Sequence, residues 1–189
     1  MTRRRFIFDP PERFVAGTIG EPGDRTFFLQ AREGARVVSV TLEKTQVAVL
    51  AERLGSLLFE LDRRGIISST EEENGVDSSP LDEPLQEAFR AGTLTLGWDG
   101  STERVLIEAR AQTDEDDEPD EEEAAAELDD TDDDGPDLFR VRITADAARA
   151  FVDRALRVVQ AGRPPCPMCG APLERTGHIC PRKNGHYVH

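Results

Sequence analysis

The stretch FVAGTIGEPGDRTFFLQAREGARVVSVTLEKTQVAVLAERLGSLLFEL, residues 14–61, decides the fold. FVAGT (14–18) and RTFFLQAR (25–32) are short runs of aromatic, branched and small residues, parted by the turn-forming GEPGD. A second turn, EGA (33–35), leads into RVVSVTL, a third run of the same kind. Apolar residues then recur at Val47, Leu50, Leu54, Leu57, Leu58 and Leu61, the spacing of one helical face. The order is strand, turn, strand, loop, strand, helix.

The same order returns further along. FRAGT (89–93), GWDGS (97–101) and ERVLIEAR (103–110) precede a long loop, then LFRVRITADAARAFVDRALRVV (138–159). Gln30-Ala31-Arg32 falls opposite Glu108-Ala109-Arg110, and Thr41 opposite Thr144. Each threonine stands at an expected helix N-cap, with an acid two residues on at Glu43 or Asp146. The second apolar stripe comprises Ala147, Phe151, Ala155 and Val158 or Val159. These patterns predict an α+β fold: duplicated β-β-β-α halves forming an antiparallel sheet with helices on one face. The halves span about 3–65 and 86–162 within a domain of residues 1–163, followed by a C-terminal arm, 164–189. The stretch between them, 66–92, is rich in Ser, Asn, Gly and Pro and is expected to be a linker, with a short helix at Pro84 to Arg90.

The net charge of −15 belongs to one insert. Asp114 to Asp137 holds 16 acids and no base, and removing it leaves 22 acids against 23 bases. This composition cannot bury enough apolar surface to order itself, so 113–137 is expected to be a disordered, solvated loop in the second half. No stretch approaches the ~20 apolar residues of a membrane span, and no signal-peptide core follows Arg3-Arg4-Arg5. A cytoplasmic protein is expected.

All three cysteines and all three histidines lie in CPMCGAPLERTGHICPRKNGHYVH, residues 166–189. CPMCG aims two thiolates at one metal from a tight turn. His178 and Cys180, two apart, share one side of an extended segment and complete a Cys3His set from Cys166, Cys169, His178 and Cys180. His186, brought back by the Asn184-Gly185 turn, competes with His178, and spacing leaves the choice open. Four protein ligands, three of them thiolates, point to structural Zn2+ that folds the arm rather than to catalytic zinc.

GRPPCPMCGAPLERTGHICPRKNG (162–185) closely resembles the C-terminus of an actinobacterial family of uncharacterised proteins, a domain of unknown function. FDPPERFVAGTIGEPGDRTFFLQAR (8–32) resembles that family's other signature, and the resemblance spans nearly the whole chain outside the acidic loop. It implies that the HxC pair accompanies the CxxC pair, which favours His178. It also implies gene neighbours resembling a histidine phosphatase and phosphatidylinositol kinases, without defining a reaction.

Other chemistry finds little footing. GTIGEPGDR lacks the GK[ST] of a phosphate loop and is expected to be a hairpin turn. Asp24 and Arg25 at its tip, like Asp9 and Glu12, are polar loop residues. No Ser-His-Asp or Cys-His arrangement is available, since every His and Cys sits in the tail, and the prolines around CPMCG suit a metal knuckle better than a redox motif. Arg3, Arg4, Arg5, Arg175, Arg182 and Lys183 form a modest basic set opposed by the acidic loop. The expected function is therefore a non-enzymatic, zinc-containing protein-binding or adaptor module. The alternatives are an enzyme or subunit acting on a phosphorylated substrate, and a nucleic-acid-associated regulator. No catalytic residue is assigned.

Overall fold

The computed structural model describes residues 3–68, 77–113, 135–162 and 167–168. Its strands are β1 (Arg5–Phe8), β2 (Arg13–Ile19), β3 (Thr26–Glu33), β4 (Arg36–Leu42), β5 (Glu87–Asp99), β6 (Arg104–Ala111) and β7 (Leu138–Ile143). The helices are α1 (Lys44–Arg63), between β4 and β5, and α2 (Ala145–Gln160), after β7. The fold is α+β, with one seven-stranded sheet ordered β1-β7-β6-β5-β4-β3-β2.

The sheet is mixed, where uniform antiparallel pairing was expected. β2-β3-β4 and β5-β6-β7 are antiparallel meanders, but β4 pairs with β5 and β7 with β1 in parallel. A parallel join needs a long crossover, and α1 with residues 64–86 supplies it between β4 and β5. β5 does two jobs. Glu87 and Arg90 pair with Ser39 and Thr41 of β4, a register shift follows between Ala91 and Leu94, and Leu94–Asp99 then pair with β6. This pairing also replaces the short helix expected at Pro84 to Arg90: Phe89 is buried in the core, and tertiary pairing outweighs local preference.

The connection from β1 to β2 dictates the sheet's shape. The two strands lie at opposite ends of the order yet are joined by residues 9–12 alone. Six inter-strand steps across a flat sheet would span ~29 Å, whereas the five residue steps from Phe8 to Arg13 reach at most ~18 Å. The sheet must curl until its ends approach. Phe14 of β2 accordingly lies 6.3 Å, ring to ring, from Phe139 of β7, and stacks at 4.6 Å on Phe151 of α2.

Strand alternation divides the side chains. One set, including Ala16, Leu29, Val40, Ile107 and Val141, joins Val47, Leu50, Leu54 and Leu58 of α1 and Phe151 and Ala155 of α2 in a single core. Leu54 is fully buried, and its truncation to alanine would cost about 2–5 kcal/mol. α1 starts at Glu43, whose backbone N–H donates to Gln46 Oε1 at 2.8 Å, and ends where Gly65 (φ 68°) lets Ile66 N–H reach back to the Leu61 carbonyl. Thr41, expected as the cap, is buried within β4 and paired on both sides. Thr144 does cap α2, its Oγ1 accepting from Ala147 N–H at 3.2 Å. That geometry exposes Ala147 and buries Ala148 in its place. The ladders also shift the second-half alignment: Phe14 faces Ala31, and Leu94, not Phe89, faces Ala109.

Candidate binding surfaces

The sheet face turned away from the core carries polar clusters where such a fold usually carries solvated side chains. On β2 and β3 it is crossed by a strap, residues 77–82. The Cβ direction of Gly17 points straight into the Leu81 side chain, 2.5 Å from its nearest carbon, so only glycine leaves room for this crossing. Gln30 holds the crossing backbone twice: Oε1 accepts from Asp82 N–H at 2.7 Å, and Nε2 donates to the Asp82 carbonyl at 3.0 Å. Its Nε2 also donates to Ser39 Oγ on β4. A buried amide satisfied on both sides is a geometric lock.

Three arginines complete the fastening. Arg13 donates to Asp77 Oδ2 at 2.5 Å, to Asp82 Oδ2 at 2.7 Å, and to the carbonyls of Ser79 and Pro80. Arg32 pairs with Glu12 at 2.8 Å and approaches Asp82 at 3.4 Å. Arg154 reaches in from α2, donating to the Ser79 carbonyl at 2.8 Å, to Asp77 Oδ1 at 3.1 Å and to the Asp77 carbonyl. The Arg13 guanidinium holds the Asp77 carboxyl at a pKa of about 2, against the cost of its partial burial. Asp77 in turn raises the pKa of Arg13, while burial lowers that of Arg154.

A second cluster sits on the same face of β6 and β7. Glu108 is 1% exposed and pairs with Arg140, itself 4% exposed, on the adjacent strand. Its other oxygen, Oε2, lies 4.0 Å from Arg110 and accepts no hydrogen bond among the described residues. Leu106 and Leu138 flank this pair and are buried too.

A third feature lies on the helices. Where α1 and α2 meet, with Gly55 facing Val152, a cleft of about 320 Å³ opens. Leu58, Phe59, Asp62, Arg149 and Asp153 complete its lining. Phe59 is 71% exposed, the most exposed large apolar side chain described.

Of the residues singled out from sequence, Cys166, Cys169, His178 and Cys180 lie outside the described residues, as does His186. No metal-binding group of His, Cys, Asp or Glu occurs among the described residues. GEPGD is a tight turn between β2 and β3, with Gly20 and Gly23 at positive φ and Asp24 N–H bonded to the Glu21 carbonyl. Asp9 pairs with Arg142 at 3.0 Å and Glu12 with Arg32, so both are tied down. Asp137, placed by sequence at the end of the acidic loop, instead accepts from Arg4 N–H and Nε, each at 2.8 Å, next to β7. Arg13, Asp77, Asp82, Arg140 and Arg154 escaped the sequence reading, and Glu108 entered it only as a repeat position. One trace was visible: Arg154 stands inside the apolar stripe of α2, beside Ala155 and three residues after Phe151.

Among the described residues no helix is long and apolar enough to cross a membrane. No curated protein and no solved structure matches the chain. Residues 6–180 match a family described as a protein of unknown function, DUF3090, which takes in the strap, both charged clusters, the helix cleft and the cysteine-rich arm through Cys180. The chain belongs to the DUF3090 family.

Proposed function

We propose that this protein is a non-catalytic protein-binding module whose recognition surface is the cleft between α1 and α2. One observation carries the reading: a large aromatic side chain, Phe59, stands in solvent on the rim of an open groove with an apolar floor of Gly55, Leu58 and Val152. Asp62, Asp153 and Arg149 around that floor provide a polar rim of the kind that frames a docking site. The ionic clusters elsewhere are engaged in holding the chain to itself, as Arg13 and Arg154 hold Asp77 and Arg140 holds Glu108. A pull-down from native cytoplasm tests the reading. A partner retained by the wild type and by Phe59→Leu, but lost from Phe59→Ser, supports it. Identical captured proteins for all three variants overturn the cleft as the recognition surface, and capture of no protein by any of them overturns protein binding in favour of the other two readings, phosphorylated substrate or nucleic acid.

Two further elements belong to this reading. The first is the C-terminal arm as a structural zinc module held by Cys166, Cys169, His178 and Cys180. The donor chemistry supports it, since three thiolates and an imidazole suit tetrahedral Zn2+, and reduced thiols suit the cytoplasm. The actinobacterial affiliation suggested by the chain's two end motifs goes with it.

The second element is descent of the fold from a duplicated β-β-β-α unit, and ladder register supports it. Gly17 pairs with Phe28 as Gly97 pairs with Leu106. Gln30 pairs with Ser39 as Glu108 pairs with Arg140, and the N-caps Glu43 and Thr144 follow β4 and β7 at the same step. β1 joins β7 in parallel as the first part of β5 joins β4, so each unit closes onto the other. These pairs supersede the alignment of Phe14 with Phe89 and of Thr41 with Thr144.

A further inference from the structure

α1 and α2 run antiparallel. Arg149, near the start of α2, donates to the Ser68 carbonyl beyond the end of α1, while Gly162, just after α2, lies beside Lys44 Nζ at the start of α1. The cleft is therefore part of a lengthwise groove between two helices, a shape that a third helix fills by setting a ridge of side chains into it. Along α1 the groove is edged by Glu52, Gly55, Phe59 and Asp62, spaced three, four and three apart on one helical stripe. Arg149, Val152 and Asp153 of α2 stand across it.

Gly55 is the informative position. Glycine is the poorest helix former after proline, yet Gly55 sits in the middle of a 20-residue helix. The packing of α1 on α2 does not require it: a Cβ there would meet only Val152, at 3.9 Å, an ordinary contact. The missing side chain instead leaves the cleft floor open beside the exposed Phe59 ring. The rim sets the charge of whatever enters. Arg149 is engaged by Asp146, 2.6 Å away, and by the Ser68 carbonyl. Glu52 and Asp153 are exposed and make no ion pair among the described residues. Taking the cleft as the recognition surface, we propose that its partner is an amphipathic helix with basic flanks. The apolar anchor of that helix enters over Gly55, between Phe59 and Val152, and its lysine or arginine side chains face Glu52 and Asp153. Opposite charge around an apolar seat fixes the register of the partner and turns acidic helices away.

Fluorescence anisotropy of two labelled synthetic peptides with the full-length protein tests this. Both peptides carry leucine at i, i+3, i+4 and i+7 over about 15 residues, one with lysine at the remaining positions and the other with glutamate. The lysine peptide should bind about tenfold tighter than the glutamate peptide or better. Asp153→Arg should weaken the lysine peptide about tenfold and tighten the glutamate peptide. Gly55→Leu should weaken the lysine peptide to a similar degree while raising the urea midpoint, because leucine fills the seat yet suits the helix. Binding lost by a more stable protein is not a folding defect. Lysine-peptide binding that ignores both Asp153→Arg and Gly55→Leu is binding elsewhere on an acidic chain and overturns the proposal, as does equal affinity for the two peptides. Capture with Phe59→Ser keeps the two readings apart: a protein partner lost from that variant, with no preference between the peptides, sinks the basic helix alone and leaves the cleft as the recognition surface. A wild type that sediments as a dimer, with Phe59→Ser a monomer, makes the occupant a second copy and overturns the basic helix too.

Discussion

Arg154 Nε on the buried face of α2 donates to the backbone carbonyl of Ala16 on β2, 2.8 Å away. β2 is the last strand of the sheet, and its outer edge would otherwise present unpaired backbone groups. The helix thus closes the sheet with a charged side chain, and the remaining guanidinium nitrogens hold Asp77 and Ser79 as the chain turns onto the other face. One residue joins helix, edge strand and strap. Arg154→Leu should destabilise the protein by about 3 kcal/mol, because the Ala16 and Asp77 carbonyls lose their donor and the strap keeps only Arg13 on Asp77 and Ser79. Arg154→Lys, which cannot fork between them, should recover only part of the loss. Urea denaturation with an unchanged m-value would show the loss; a midpoint matching wild type for Arg154→Leu would refute the role.

The strap should respond to acid. Asp77 has a pKa of about 2 in the folded protein, below its unfolded value, mainly because of the hydrogen bond from Arg13. A depressed carboxylate contributes stability that is complete above the unfolded pKa, ~3.9, and is lost as pH falls towards the folded one. Stability should therefore drop between about pH 4 and pH 2 more steeply in wild type than in Asp77→Asn. Thermal melts across that window test it. Parallel curves for the two proteins would show that Asp77 does not carry the effect.

The order of the two three-stranded runs and their helices was legible because each strand is a short run of β-branched, aromatic and small residues bounded by turn signals, and α1 keeps an unbroken stripe from Val47 to Leu61; β1, only four residues long, was not read as a strand. The parallel joins were not. Parallel and antiparallel strands share the same period of two, so β5 looks the same whether it runs beside β4 or elsewhere. The strap was hidden for a different reason: Asp77 to Pro84 has the composition of a loop, and only its partners Gln30, Arg13 and Arg154, distant in sequence, fix it in place. Arg154 within an apolar stripe was the one local sign of a buried charge. Phe59 was read as part of the helix, and only the position of α2 shows that it stands at a cleft.

Gly17 gives a test of the strap that leaves charge untouched. An added Cβ would meet Leu81 at 2.5 Å, so Gly17→Val should lift the strap and cost about 1–3 kcal/mol. Leu81→Ala alone removes apolar burial, but in the Gly17→Val background it relieves the clash. The double mutant should therefore be more stable than the sum of the two single effects predicts, by about 1 kcal/mol. Simple additivity in denaturant melts would place Leu81 away from Gly17.

Glu108 and Arg140 should show the asymmetry of a buried ion pair. Both are almost wholly out of water and engage each other on adjacent strands. Removing one partner strands the other charge, so Glu108→Ala or Arg140→Ala should cost about 3–5 kcal/mol. Replacing both by apolar residues of similar volume, Glu108→Leu with Arg140→Met, removes both desolvation costs, so this double variant should be more stable than the sum of the single Glu108→Leu and Arg140→Met effects predicts, by about 2 kcal/mol or more. Urea melts of the two single variants and the double variant check this. A double variant no more stable than the worse single one would refute a buried ion pair at Glu108 and Arg140.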